Sequence, residues 1–124
     1  MGHLEVIAHL KVRPGRLEGC KTQVAEILRL TREQDTKTLR YDWFLSEDGT
    51  EYEVHEAYAS EEGLIEHNEH VVEARNVLFR DYAFDHRMSV YGEISQHLSD
   101  LFEQHAGGVS KFSFVHGLEQ ASPV

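Results

Sequence analysis

The chain has 124 residues, a formal net charge of −10 with histidine neutral, and a pI near 5.3. This length favours one domain with its own hydrophobic core. The acidic balance, without a run of Lys or Arg, argues against nucleic-acid or membrane partners. A single cysteine, Cys20, excludes an internal disulfide, and no apolar stretch approaches the roughly 18 residues of a membrane span. The sequence therefore predicts a soluble cytoplasmic protein.

The first half of the chain predicts a strand, a helix and a hairpin. Polar and apolar residues alternate over 3–12, which is typical of a strand with one buried side. Apolar residues then recur at helical spacing over 16–32. Residues 39–45 and 52–58 alternate again on either side of Asp48-Gly49, which predicts a two-residue type I′ turn. That turn sets a register of four facing pairs: Leu45 with Tyr52, Trp43 with Val54, Tyr41 with Glu56, and Leu39 with Tyr58.

The second half predicts a long helix, a fourth strand and a short extension. Ser60 is placed to cap the long helix. Residues 89–94 predict the fourth strand, and Ser95 then caps a short helix with Leu98, Leu101 and Phe102 facing inward. Residues 111–116 alternate as a fifth strand, and residues 119–124 form a loose tail.

Three polar residues interrupt the apolar side of the second helix. At about 100° per residue, His67, Asn68 and Arg75 lie within the stripe formed by Leu64, Val71, Val72, Leu78 and Phe79. A polar group held towards a core requires a partner, at a cost of roughly 1–3 kcal/mol if none is found. These side chains therefore form either a satisfied structural network or the wall of a ligand cleft.

The order βαββαβ predicts an α+β ferredoxin-like sandwich, an antiparallel sheet with both helices on one face. Tyr41, Trp43 and Glu56 lie on the strand face that the helices cover, so we expect them to meet the polar residues of the second helix. The opposite sheet face carries Ile7, Phe44, Ala57 and Ala59. Such a surface suits a second sheet better than water, and predicts a homodimer to which residues 112–114 contribute.

Several of these segments resemble the antibiotic biosynthesis monooxygenase family. The resemblance rests on Tyr41-Asp42-Trp43-Phe44, the Asp48-Gly49 turn, Val54-His55-Glu56-Ala57-Tyr58 and Leu64-Ile65-Glu66-His67. It implies a dimeric α/β barrel, here a single domain over residues 1–118 with a core of about 3–94 and a helix-strand extension over 95–118. The family's helix usually carries a second His about five residues after the first, whereas here His70 follows after three.

Some members of that family oxygenate quinols or polycyclic phenols with O₂ and without metal or flavin. Such chemistry requires a base that forms an electron-rich aromatic anion, donors that stabilise the anion, and an aromatic-lined pocket. The resemblance and the residue chemistry together predict His67, Asn68 and Glu56 as catalytic residues. They predict Tyr41, Trp43, Tyr58 and Arg75 as contacts to a small aromatic substrate.

Other interpretations of the same residues remain open. Trp43 can be ordinary core, and Glu56 can simply accept a hydrogen bond from Tyr41 or pair with Arg75. His67 and His70 offer two metal ligands without an obvious third, so we expect no metal site. The alternative function is a non-catalytic module that binds a small molecule or, through His67, haem.

Overall fold

The structure, a computed structural model, describes residues 4–118 and forms one five-stranded sheet covered by three helices. The elements are β1 (Leu4–Val12), α1 (Leu17–Gln34), β2 (Thr38–Leu45), β3 (Glu51–Tyr58), α2 (Glu61–Asp81), β4 (Ala83–Tyr91), α3 (Gln96–His105) and β5 (Gly108–Phe112). The strand order is β2-β3-β1-β4-β5, with β5 parallel to β4 and all other neighbours antiparallel. The predicted ferredoxin-like α+β fold is confirmed, whereas the predicted tail over residues 119–124 lies outside the described residues.

The helices all pack on one face of the sheet. The inward side chains of β1 are buried along its whole length, as the alternation predicts: Leu4, Val6, Ala8, Leu10 and Val12. The residues from Ala8 onward pack with α1 and α2, whereas Leu4 and Val6 pack with α2 and α3. Ser60 and Ser95 cap α2 and α3 as predicted, each accepting a hydrogen bond from a backbone N–H three residues later.

The other face of the sheet has no helix over it within residues 4–118. Several large apolar side chains on β2, β4 and β5 are at least one-third exposed: Phe44, Phe84, Tyr91 and Phe112. Tyr91 and Phe112 stack on one another with ring centroids 5.2 Å apart. No helix in the described part of the chain is long and apolar enough to span a bilayer.

The hairpin register is confirmed for three of the four predicted pairs and is wrong for Leu39. A register shift at that residue sets Thr38 opposite Tyr58, and Leu39 is 60% exposed. The Thr38 hydroxyl consequently faces inward and donates a hydrogen bond to the Asp35 carboxylate at 2.6 Å. The turn is not the predicted type I′ turn, which needs positive φ at both central residues. Only Gly49 has positive φ there, and the Asp48 side chain accepts hydrogen bonds from Thr50.

The fourth strand begins six residues earlier than predicted, at Ala83. The alternation was obscured by a β-bulge, in which Lys11 pairs with Phe84 and His9 already pairs with Arg87. The extra residue, Asp85, has φ 56°, a left-handed conformation that Asp tolerates better than most residues. Because of the bulge, the side chains of both Ala83 and His86 face the helices.

The fifth strand also starts earlier than predicted, at Gly108 instead of Lys111. The Gly107 N–H donates to the His86 carbonyl at 2.6 Å, so the glycine pair that ends α3 leads directly into the sheet. Phe114 and Val115, which were predicted to continue the strand, lie beyond Phe112 and are more than half exposed.

Candidate active site

A narrow cavity lies between the inner face of the sheet, α2 and α3. Its volume is about 60 Å³. All seven residues predicted for the site line it: Tyr41, Trp43, Glu56, Tyr58, His67, Asn68 and Arg75. The strand face and the helix face therefore meet around one space, while the individual roles of these residues stay predictions.

His67 is hydrogen-bonded to the buried carboxylate of Asp35, a residue that the sequence analysis did not single out. His67 is 4% exposed, and its Nδ1 lies 2.7 Å from Asp35 Oδ2. His70 Nδ1 lies 2.6 Å from the other oxygen, Oδ1, and Thr38 donates to the same carboxylate. The Asp35 side chain is only 2% exposed. One carboxylate thus joins the end of α1 to β2 and to two successive turns of α2.

The hydrogen bonds determine the ionisation of Asp35. Burial by itself raises the pKa of this carboxyl, but the bonds from His67, His70 and Thr38 outweigh burial and lower it to about 2. An ionised carboxylate only accepts hydrogen bonds, so Nδ1 carries the hydrogen in both imidazoles. In neutral His67 the lone pair is then on Nε2, the ring nitrogen left for a ligand in the cavity.

A second acidic group lies across the cavity on β3. Burial raises the pKa of Glu56, against the opposing effects of His67, the Tyr58 hydrogen bond and Arg75. The Tyr58 hydroxyl donates to Glu56 Oε1 at 2.6 Å, and Tyr58 itself is fully buried. Tyr58 therefore orients Glu56, in addition to forming part of the wall. A carboxyl with a raised pKa in such a place can exchange a proton with a ligand.

Positive charge in the cavity comes from Arg75. Its Nη2 donates to Asn68 Oδ1, which fixes the amide so that its NH₂ group is left as a donor. No carboxylate in residues 4–118 lies within 4 Å of the guanidinium to form a salt bridge. Burial lowers the pKa of Arg75, against the opposing effects of Tyr41, Glu56 and Tyr58, yet an arginine stays charged in a protein. Its remaining N–H groups suit an anionic ligand.

The aromatic residues form walls at right angles instead of one flat surface. The rings of Tyr41 and Trp43 are perpendicular, with centroids 6.0 Å apart. Tyr41 also meets the His67 ring edge-on at 4.5 Å, and burial and the charge of Glu56 raise its pKa well above the usual value. The indole Nε1 of Trp43 is buried without a hydrogen-bond partner in the described part of the chain. One ring can therefore stack on the face of an aromatic ligand while its perpendicular neighbour contacts the ligand's edge.

Several wall residues come from parts of the chain where no site was predicted. The additional residues are Ala8, Val54, Leu64, Phe79, His86, Met88, Leu98, Leu101, Phe102 and His105. Counting back by two from Met88 would have placed His86 on the inner face, but the bulge at Asp85 disguised that alternation. Asp35 gave no signal, because it follows α1 and is brought to His67 only by the tertiary fold. Among residues 4–118, no group of three or more His, Cys, Asp or Glu is arranged to hold a metal ion.

Replacing Asp35 with Asn tests this network through the pH dependence of stability. The pKa is lower in the folded state than the usual 3.8, so the stabilisation is present above about pH 4 and is lost as pH falls towards about 2. We expect Asp35→Asn to lower the free energy of unfolding by on the order of 1–2 kcal/mol near neutral pH, with a difference from wild type that shrinks below about pH 4. Urea unfolding at several pH values measures this.

The exposed Asp100→Asn serves as the matched control, since Asp100 lies on the surface of α3. It should follow the wild-type curve throughout. A difference between Asp35→Asn and wild type that stays constant through the acid range would contradict the assigned network.

Comparison with solved structures supports the assignment of the fold. MupZ from Pseudomonas fluorescens superposes with a TM-score of 0.77 at 20% identity, covering 99% of this chain and 97% of that one. Rv0793 from Mycobacterium tuberculosis gives a TM-score of 0.64 at 24% identity, covering 77% and 98%. SnoaB from Streptomyces nogalater, a cofactor-independent oxygenase, gives 0.64 at 9% identity, covering 77% and 97%. No curated protein sequence matches this chain.

A sequence model of one family matches more than half of the chain. Residues 4–73 match the model described as antibiotic biosynthesis monooxygenase. This stretch runs from β1 through the first half of α2, and it includes Tyr41, Trp43, Glu56, Tyr58, His67 and Asn68. The family predicted from short motifs is therefore confirmed: the chain belongs to the antibiotic biosynthesis monooxygenase family.

Proposed function

We propose that this protein is a cofactor-independent monooxygenase that uses O₂ to oxidise a small aromatic substrate such as a quinol, an anthrone or another polyphenol. The observation that carries the proposal is the His67 imidazole, whose Nδ1 is bonded to a buried carboxylate while Nε2 is left for a ligand. Family membership and the likeness to SnoaB support the same chemistry. The product of the reaction is a quinone.

The first step is removal of a proton. O₂ reacts slowly with a neutral closed-shell molecule, so the substrate must first become an electron-rich anion. Nε2 of His67 takes the proton from a phenolic hydroxyl or an activated ring C–H, while Asp35 holds the ring orientation and stabilises the imidazolium that forms. Positioned bases of this kind contribute typically about 100- to 10,000-fold in rate.

The second step is stabilisation of that anion and its reaction with O₂. The free N–H groups of Arg75 and the Asn68 amide donate to the developing oxyanion. The anion passes one electron to O₂, and the two radicals combine to form a C–O bond and a ring hydroperoxide. Loss of water from the hydroperoxide then leaves the new carbonyl. One oxygen atom enters the product and the other leaves as water, with the two hydrogens that the substrate gave up.

Glu56 is suited to the proton transfers of this second half. Its pKa is raised by burial, and it receives a hydrogen bond from Tyr58. A carboxyl of this kind holds a proton nearer to neutral pH than an exposed one does. It can therefore protonate the peroxide oxygen that leaves as water.

The alternative function is binding without turnover, of a small molecule or of haem. The same cavity and the same free His67 nitrogen would serve a binding module. A visible spectrum of the purified protein tests this alternative directly, because bound haem gives a Soret band.

His67→Asn is the sharpest test of the proposed base. The Asn amide can still donate a hydrogen bond to Asp35, but no nitrogen remains in the position of Nε2. With an anthrone as substrate and an oxygen electrode as the readout, we expect the turnover rate to fall by about 100-fold or more. The free energy of unfolding should change by no more than about 1 kcal/mol, because the buried hydrogen bond is kept.

His70→Asn provides the matched control. His70 bonds the same carboxylate but does not line the cavity. Its replacement should reduce turnover by less than about tenfold. Equal losses in the two variants would mean that the Asp35 network serves the fold and not the chemistry, and wild-type protein that consumes no O₂ would favour the binding alternative.

We also propose that two copies pair through the exposed sheet face. Phe44 and Phe112 are each about half exposed there, and Tyr91 and Phe84 extend the apolar area between them. A second sheet packed about 10 Å away would cover these rings, and isologous pairing is the usual closed arrangement.

Light scattering at micromolar concentration should give twice the chain mass of 14.3 kDa. Phe44→Asp should shift the mass towards the monomer, because it places a charge in the apolar contact. Lys21→Glu, on the exposed surface of α1 at the opposite side of the sheet, should leave the mass unchanged. A wild-type protein that scatters as a monomer would rule out this pairing.

A further inference from the structure

His86 is the least expected polar group in the cavity wall. It follows the bulge in β4, and its ring stacks on Phe79 with centroids 4.6 Å apart and planes 20° from parallel. Its Nδ1 donates to the backbone carbonyl of His105 at 2.7 Å, and its own carbonyl accepts from Gly107. The imidazole is therefore held between α2 and the end of α3, while the backbone of His86 is bonded to the residue that precedes β5.

These contacts also fix which nitrogen is free. A carbonyl oxygen only accepts, so Nδ1 must carry the hydrogen. Burial, together with the positive charges of Arg75 and His105, lowers the pKa of His86 to about 4, although the bond to the His105 carbonyl opposes this shift. The ring is thus neutral at physiological pH. Its Nε2 is a lone-pair acceptor with no hydrogen bond to any described residue.

His86 lines the cavity together with His67, from a position beside Phe79 and His105. Phe79, on which it stacks, follows His67 by twelve residues on α2, or about three helical turns. Arg75 lies on α2 between His67 and Phe79; it bonds Asn68 beside His67, and its charge acts on His86. The cavity therefore has two histidines at different places in its wall, with Arg75 and Asn68 as further polar groups beside its apolar side chains.

We propose that His86 is a second ligand-binding residue, whose Nε2 accepts a hydrogen bond from a hydroxyl at the end of the substrate remote from His67. The inference deepens the proposed function, because it defines the substrate as an elongated aromatic molecule with a hydroxyl at both ends. One hydroxyl meets His67 and Arg75, while the other meets His86. The ligand is thereby held in one direction in the cavity.

The C-terminal extension makes this arrangement possible. α3 supplies Leu98, Leu101 and Phe102 to the wall and the His105 carbonyl to the His86 ring. Lys111 on β5 donates to Ser99 on α3 at 2.7 Å, which fastens the helix to the sheet. All of these residues lie beyond the 4–73 stretch that the family model matches. The extension therefore takes part in the second recognition point, because it supplies the carbonyl that fixes the His86 ring.

The test compares two ligands in the absence of O₂ by titration calorimetry. One is the naphthalenediol with hydroxyls at opposite ends of the ring system, and the other is the naphthol that lacks the second hydroxyl. We expect wild type to bind the diol roughly three- to tenfold more tightly, which is the net contribution of one hydrogen bond. In His86→Asn, whose amide can still donate to the His105 carbonyl, this ratio should fall to about one.

His97→Asn on the exposed side of α3 is the control, and it should keep the wild-type ratio. Nitrogen NMR of wild type labelled at histidine needs no variant: the Nε2 resonance of His86 should move with the diol and not with the naphthol. An unchanged ratio in His86→Asn, an unmoved resonance, or no binding of the diol would each overturn the inference. Because neither readout involves turnover, failure of the proposed oxygenase reaction would be seen separately, in the His67 experiment.

Discussion

The buried carboxylate of Asp35 is the interaction on which the candidate site depends. It lies just after α1, and it accepts hydrogen bonds from Thr38 at the start of β2 and from His67 and His70 on α2. An ionised carboxylate with so little exposure is stable only if such bonds replace its water. The same bonds hold the end of α1, the start of β2 and the middle of α2 together. They also fix the tautomer of His67, so one group meets both a structural requirement and a requirement of the proposed chemistry.

Around that group, the cavity separates its ionisable residues by environment. Asp35 is kept ionised by its hydrogen bonds, whereas burial raises the pKa of Glu56 and lowers that of His86. Arg75 stays charged without a carboxylate partner among the described residues. The site thus holds a fixed anion behind the His67 imidazole, a carboxyl able to carry a proton, and a cation free to meet an anionic ligand. This separation of roles is what acid–base chemistry near neutral pH requires.

The sequence predicted the fold and seven of the wall residues because two simple periodicities apply there. Helical spacing placed His67 among the core residues of α2, and strand alternation placed Glu56 opposite Tyr41. The prediction failed where the backbone departs from those periods. The bulges at Leu39 and Asp85 turned Thr38 and His86 inward, and no local pattern indicates such a shift. Asp35 could not have been found either, because its partners are 32 and 35 residues away and meet it only in the folded chain.

The claim that His67 acts as a base can be observed without any turnover. A phenolic substrate bound in the absence of O₂, at a pH below the pKa of its free hydroxyl, has distinct absorbance bands as the phenol and as the phenolate. The structure predicts that wild-type protein converts the bound ligand to the phenolate, and that His67→Asn binds it as the neutral phenol. A bound ligand that stays neutral in wild type, or that ionises equally in both proteins, would contradict the assignment of His67 as the base.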